Sequence, residues 1–129
     1  MAQRVKSEIQ PTEVDGAANR DGISVERLFT QAGVDPLSEI DWELRSAIIA
    51  GEDGRVVFEQ REVEVPRQWS QTAANVVVSK YFRGALDTSQ REKSVRQLFS
   101  RVVDTITGWG EKQYYFATNG DRDSFKVNY

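Results

Sequence analysis

Residues 89–109, SQREKSVRQLFSRVVDTITGW, carry the strongest periodic pattern in the chain. Their apolar side chains recur at i, i+3, i+4, i+7, i+8, i+11 and i+14, and these are Val95, Leu98, Phe99, Val102, Val103, Ile106 and Trp109. This spacing places the apolar side chains on one face of a helix. Ser89 and Glu92 match the capping-box pattern of a helix start, and Gly108 and Gly110 lie at its end. The stretch therefore predicts an amphipathic helix of about five turns.

The preceding segment, WSQTAANVVVSKYFRG (69–84), gives two conflicting signals. Three consecutive valines favour a strand by intrinsic propensity. The apolar side chains, however, recur every four residues in two neighbouring rows, and these are Trp69, Ala73, Val77 and Tyr81, then Ala74, Val78 and Phe82. Because periodicity outweighs propensity where side chains can be buried, we predict a helix that ends near Phe82, with Gly84 as its C-terminal stop.

Upstream of that helix the pattern becomes typical of strands. WELRSAIIA (42–50) and RVVFEQ (55–60) flank the four-residue loop GEDG, which predicts a β-hairpin. REVEVP (61–66) alternates acids with valines and ends in a proline, as a half-buried edge strand would. The sequence therefore predicts an α+β, mainly helical domain with a small hairpin and an edge strand followed by two amphipathic helices.

The two ends of the chain give weaker signals. Residues 1–22 are polar and contain no aromatic side chain, which predicts a mobile lead-in. Ser24 is a good N-cap, apolar residues follow at helical spacing, and Gly33 offers a stop, so we predict a short helix between them. After the long helix the periodicity decays, and Asn119-Gly120 indicates a turn.

The composition excludes several kinds of chemistry. The 129 residues include no cysteine and no histidine, which removes thiol nucleophiles, disulfides and the usual zinc sites. A net charge of −3 is unlike that of a dedicated nucleic-acid binder. No apolar run approaches the roughly 18 residues of a membrane span, and the first residues lack a signal-peptide core. We expect a cytoplasmic chain that catalyses nothing by itself.

Two groups of charged residues could suggest binding sites. The first contains six basic residues, which are Lys80, Arg83, Arg91, Lys93, Arg96 and Arg101. They could contact phosphate, but the solvated face of the long helix explains most of them more simply. Lys80 and Arg83 stand apart because they lie at a helix end beside aromatic residues, so they are the phosphate-contact candidates. The second group is acidic, without partners at metal-ligand spacing, and comprises Glu59, Glu62 and Glu64.

The order of these motifs resembles a known family. FEQREVEVP (58–66), WSQTAANVVVSKYFRG (69–84) and REKSVRQLFSRVVDTITGWG (91–110) are similar to the N-terminal region of bacterial class II ribonucleotide reductases, which depend on adenosylcobalamin. RLFTQAGVDPLSEIDWELRSAII (27–49) looks like the same region. The resemblance covers residues 23–116. It leaves residues 117–129 as a divergent tail, and YYF (114–116) carries a tyrosine where the family usually has glycine.

The resemblance implies a helical domain that packs against an α/β barrel. In the family, that barrel carries the catalytic cysteines and the nucleotide and cobalamin sites, so no catalytic residue and no metal ligand carries over to this chain. The role implied here is structural, with the barrel as partner and nucleotides bound in the assembled enzyme. The residues expected to dock against the barrel are Trp69, Tyr81, Phe82 and Trp109.

Two other functions stay open at this point. The chain could be a stand-alone interaction or regulatory module derived from the same domain. Nucleic-acid binding through the basic residues of 80–101 is a third possibility, which the acidic net charge disfavours.

Overall fold

The computed structural model describes residues 21–129, and most of the predicted lead-in (1–22) lies outside them. A 3₁₀ helix (Pro36–Glu39) precedes two strands, β1 (Trp42–Ala50) and β2 (Val56–Pro66). Three helices follow, α1 (Gln71–Lys80), α2 (Val95–Lys112) and α3 (Asn119–Asn128). The predicted α+β class is confirmed, but α3 was not predicted and the short helix predicted after Ser24 is absent.

The two strands form an antiparallel hairpin, as predicted, and the predicted edge strand is the second half of β2. Arg45 lies opposite Val63 and Ala47 opposite Gln60, so one residue of β1 faces two residues of β2. This bulge holds Glu62 at a positive φ of 54°. After the bulge, Val63 and Val65 of β2 are fully buried, whereas Val56 and Val57 before it are exposed.

Helix α1 confirms that periodicity outweighs the valine run. The Ser70 side chain accepts a hydrogen bond from the Ala73 N–H and caps the first turn. Ala74 and Val78 are fully buried. The helix ends at Lys80, and Gly84 shapes the following turn at a φ of 90°, where a side chain would collide with the Gln90 carbonyl.

Helix α2 begins and ends later than the sequence predicted. Its capping box is Ser94 with Gln97, not Ser89 with Glu92, because the Glu92 carboxylate binds Arg101 and the Arg83 N–H instead. The helix continues through Gly108 and Gly110 to Lys112. Gly110 is a close approach rather than a stop, since a side chain there would lie 2.7 Å from the Phe116 ring.

The short helix predicted after Ser24 is absent from the described structure, where residues 24–27 have no regular structure. Residue Ile23 bridges Phe116 instead, with its N–H 2.7 Å from the Tyr115 carbonyl. The Val25 N–H donates to Asp121 at 2.8 Å. The Leu28 and Phe29 N–H groups, which a helix from Ser24 would have used, donate to the Asn128 side chain instead. These tertiary contacts are why the local signal failed.

Helix α3 occupies residues that the sequence indicated as a turn. Thr118 and Asp121 form a reciprocal capping box, so Asn119 and Gly120 lie in the first turn of a helix. The Phe125 ring packs against Phe116 at 5.4 Å between centroids. The turn prediction was wrong because the cap and this aromatic contact outweigh the local preference of Asn-Gly.

The main core lies between the hairpin, α1 and the start of α2. Its buried side chains are Ala47, Val63, Val65, Ala74, Val78, Phe82 and Val95. Val95 is the one residue of α2 in this set. Leu98 of the same helix packs against this core, and α3 contacts α2 as well. Part of the apolar face of α2 nevertheless stays exposed.

Candidate docking site

The apolar face of α2 is only partly covered by the described chain. Phe99, Val102, Ile106 and Trp109 lie at i, i+3, i+7 and i+10, which places them along one side of the helix. Their exposed fractions are 37%, 42%, 44% and 60%. Large apolar side chains exposed in a continuous row mark an interaction surface more often than an ordinary solvated face.

Beside this row lies an apolar groove of about 700 Å³, which we call the α2 groove. One wall is formed by α2, the opposite wall by the end of α3 and by residues 29–37. The side chains that define the groove are Phe29, Tyr81, Leu98, Phe99, Val102, Asn128 and Tyr129. Phe29 and Tyr129 meet edge to face at 6.2 Å between ring centroids, which holds two aromatic side chains in fixed positions at one end.

Asn128 lies in the wall of the groove and is only 7% exposed. Its Oδ1 accepts hydrogen bonds from the Leu28 N–H at 3.1 Å, the Phe29 N–H at 2.8 Å and the Thr30 hydroxyl at 3.2 Å. These three donors fix which side of the amide is oxygen. Its Nδ2 is buried and has no hydrogen-bond partner among the described residues.

A second, smaller cavity of about 330 Å³ lies at the other end of α2. Its lining includes Ile23, Ile106, Trp109, Phe116 and Phe125. The α2 groove and this cavity are lined by successive members of the exposed row, Phe99 and Val102 in the groove and Ile106 and Trp109 in the cavity.

The structure separates the four predicted docking residues into two pairs. Tyr81 is 61% exposed and borders the α2 groove, and Trp109 borders the smaller cavity. Phe82 is only 6% exposed and belongs to the domain's own core, so it has little surface to offer a partner. Trp69 is half-buried and packs against Phe99 at 6.5 Å between centroids.

The two phosphate-contact candidates are exposed but do not form a cavity together. Lys80 ends α1 and Arg83 follows in the loop. The Arg83 N–H donates to the Glu92 carboxylate at 2.6 Å. Neither side chain lines the α2 groove or the smaller cavity.

Three of the other basic residues hold the fold together, which sequence reasoning did not reveal. Arg91 donates to the carbonyls of Val78 and Phe82 and to the Gln60 side chain, at 2.6–2.8 Å. Its guanidinium also lies 5.8 Å from the centres of the Phe58 and Phe82 rings. Burial lowers the pKa of Arg91, but a guanidinium stays charged in any case.

Arg101 and Arg96 are engaged in the same way. Arg101 lies 3.0 Å from the Glu92 carboxylate and donates to the Tyr81 carbonyl. Burial alone would raise the pKa of Glu92, but hydrogen bonds from Arg101 and the Arg83 N–H hold it below the ordinary value. Arg96 lies 4.5 Å from the Trp42 ring centre and 3.0 Å from the Glu64 carboxylate.

Within residues 21–129, no cluster of acidic side chains is arranged to hold a metal ion. Over the same range, no helix combines the length and the apolar character that crossing a bilayer requires.

The hairpin, the helices and the exposed groove define a small α+β domain with an uncovered apolar surface. This chain belongs to the class II vitamin B12-dependent ribonucleotide reductase family and corresponds to its N-terminal region. The family model matches residues 43–85 and 85–128. The resemblance seen in the sequence is thereby confirmed.

Curated relatives agree with this assignment. A vitamin B12-dependent ribonucleotide reductase of Streptomyces coelicolor is 42% identical over 127 residues, which are 98% of this chain and 13% of the relative. The reductase of Rhodopirellula baltica is 48% identical over 109 residues, 83% of this chain and 10% of the relative. That of Bradyrhizobium diazoefficiens is 32% identical over 134 residues, 78% of this chain and 11% of the relative. The chain thus spans a small fraction of the length of these relatives.

Proposed function

We propose that this chain is the docking domain of an adenosylcobalamin-dependent ribonucleotide reductase, present as a separate subunit or as part of a longer polypeptide. The observation that carries the proposal is the exposed apolar row on α2, Phe99, Val102, Ile106 and Trp109. In this role the domain packs against the catalytic barrel of the reductase and supplies no reacting group.

The size of this surface supports a stable contact. Fully burying a large apolar side chain contributes about 1.5–3 kcal/mol, so completing the burial of a half-exposed one contributes about 1 kcal/mol. The four side chains of the row, with Tyr81 beside them, therefore offer several kcal/mol to an interface. Association itself costs a comparable amount, so an interface of standard size needs such a central apolar cluster.

The cofactor and the substrates belong to the other part of the assembly in this proposal. The reducing cysteines must come from the barrel, because this chain has no cysteine. Adenosylcobalamin is assigned to the same part by the family resemblance. Lys80 and Arg83 are exposed beside Tyr81 and stay candidates for contact with nucleotide phosphates in the assembled enzyme. In this proposal the assembled enzyme makes DNA precursors in the cytoplasm.

We also infer that the docking domain includes α3. The family model matches as far as residue 128, and α3 closes one wall of the α2 groove. Residues 117–128 would then be an integral part of the domain rather than a separate tail.

The test uses the reductase of Streptomyces coelicolor. Its matched region is deleted, and this chain is supplied either fused in the same place or as a separate polypeptide. We expect the deletion to abolish adenosylcobalamin-dependent ribonucleotide reduction, and we expect this chain to restore it. A deletion enzyme that remains inactive with both forms, although it is folded and binds cobalamin, contradicts the proposal. Inhibition of the intact reductase by the separate chain would instead favour a regulatory module.

A further inference from the structure

We propose that Tyr114, just beyond the C-terminal end of α2, is a contact residue of the docking surface, and that it holds a backbone conformation that lowers the domain's own stability. This inference rests on the proposed docking function. It extends the exposed row of α2 past Trp109, and the partner is the part of the reductase polypeptide outside the matched region. The Tyr114 side chain is 62% exposed, and it is not among the docking residues that the sequence predicted.

The first argument is the backbone of Tyr114, which has a φ of 59°. In this left-handed region the Cβ of an L-amino acid lies too close to the following carbonyl oxygen. The C-cap of α2 is Gln113, so Tyr114 is the first residue outside the helix, where glycine is the usual residue. A bulky aromatic residue at such a position is strained.

Hydrogen bonds on both sides hold the turn in this conformation. The Tyr115 N–H donates to the Gly110 carbonyl at 2.9 Å, and the Tyr114 N–H donates to the Glu111 carbonyl at 3.2 Å. These are the two bonds of a Schellman motif. The Tyr115 carbonyl in turn accepts the Ile23 N–H at 2.7 Å. Strained backbone persists where the surrounding structure fixes it in this way, and such positions concentrate at functional sites.

The second argument is the surface on which Tyr114 lies. Trp109 and Tyr115 are 60% and 57% exposed, and both line the smaller cavity at this end of α2. Tryptophan and tyrosine are enriched among the residues that dominate binding energy, because each buries a large area while few side-chain torsions must be fixed. Residues 109–115 thus place three large exposed aromatic side chains at the end of the proposed interface.

A residue elsewhere in the chain offers a matched control. Asp87, in the loop between α1 and α2, has a φ of 60°, close to that of Tyr114. A short polar side chain tolerates this conformation better than an aromatic one does. Asp87 lines neither the α2 groove nor the smaller cavity. A glycine at residue 87 therefore makes the same kind of backbone change away from the proposed surface.

The experiment measures stability and binding in the same variants. Thermal unfolding of this chain gives the melting temperature. Calorimetric titration gives the affinity for the Streptomyces coelicolor reductase from which the matched region has been deleted. Tyr114→Gly removes both the strain and the ring. We expect it to raise the melting temperature by about 2–5 °C and to weaken binding at least tenfold. A tyrosine that only packs within the domain would lower the melting temperature when removed.

Two further variants complete the experiment. Tyr114→Asn also tolerates a positive φ but does not add the flexibility of glycine to the unfolded chain. It should weaken binding as much as Tyr114→Gly and should also melt at a higher temperature than the original chain. Asp87→Gly should bind the deleted reductase with unchanged affinity.

The possible outcomes separate this inference from the docking function. If the original chain binds and Tyr114→Gly binds equally well, Tyr114 is not a contact residue and the docking function stands. Variants of Tyr114 that melt at the same or a lower temperature overturn the inference, as does an Asp87→Gly variant that loses as much affinity. Failure of the original chain to bind a deleted reductase that is folded and still binds cobalamin overturns both.

Discussion

Replacing Glu92 by glutamine should destabilise the domain at neutral pH but not in acid. The Glu92 carboxylate is only 11% exposed, lies 3.0 Å from Arg101 and accepts the Arg83 N–H at 2.6 Å. Glutamine has the same shape and can still accept the Arg83 N–H, so the variant loses only the charge. Hydrogen bonds to charged groups contribute about 1.5–3 kcal/mol against 0.5–1.5 for neutral ones, so the expected loss is about 1–2 kcal/mol.

The pH dependence follows from the lowered pKa of Glu92. Its ordinary value is 4.5, and the folded-state pKa lies below that. A carboxyl group with a lowered folded pKa stabilises the fold above the ordinary pKa, and this contribution is lost as the pH falls through the folded value. The original chain should therefore be more stable than Glu92→Gln by the whole of this contribution at neutral pH. In strong acid the two should have the same free energy of unfolding.

The assay is urea unfolding followed by tryptophan fluorescence at pH 7 and at about pH 3. At pH 7 we expect Glu92→Gln to lower the free energy of unfolding by about 1–2 kcal/mol, and the melting temperature by about 5–10 °C. Asp53→Asn is the matched control, because the Asp53–Arg55 pair is exposed and should change stability by less than about 0.5 kcal/mol. The reasoning would be refuted if Glu92→Gln lost the same free energy of unfolding at both pH values, or lost none at pH 7.

Two further predictions concern the loop between α1 and α2. Gly84→Ala should lower the stability of the domain by more than about 2 kcal/mol, because residue 84 has a φ of 90° and its new side chain would collide with the Gln90 carbonyl. Gly33→Ala, at a φ of 80° in open space, should cost only about 1 kcal/mol. Thermal unfolding compares the two variants, and equal losses of stability would contradict the collision. Arg91→Met should lower the stability by about 3 kcal/mol, because it leaves the carbonyls of Val78 and Phe82 without their donor. Arg55→Met, on the exposed hairpin tip, is the control and should not change the stability in the same measurement. An unchanged stability of Arg91→Met would show that water replaces the guanidinium.

The elements that the sequence predicted are those in which local pattern and burial agree. The hairpin follows from strand patterns on either side of a short loop, and α1 follows from apolar residues that recur every four positions. The start of α2 was misplaced because two capping boxes compete within nine residues, 89–97. Ser89 with Glu92 fits the local pattern, but the Glu92 carboxylate forms hydrogen bonds with the Arg101 guanidinium instead of capping a helix. Only tertiary contacts decide between the two.

The candidate site was predictable in part for the same reason. Tyr81 and Trp109 end apolar rows, and such rows can be read from the spacing. Asn128 could not be identified, because its partners at residues 28–30 lie about a hundred positions away in the sequence. Nothing in the neighbouring residues indicates that this amide is buried or that its nitrogen is unpaired.

Asn128 fixes the segment that precedes β1 against the end of α3. Its oxygen accepts hydrogen bonds from the Leu28 and Phe29 N–H groups and from the Thr30 hydroxyl, and Phe29 from that segment forms part of the groove wall. A ligand that binds only the ordered form of a segment also stabilises that form. A partner that covers the α2 groove, as proposed above, would therefore also stabilise residues 28–30 in the conformation that Asn128 holds.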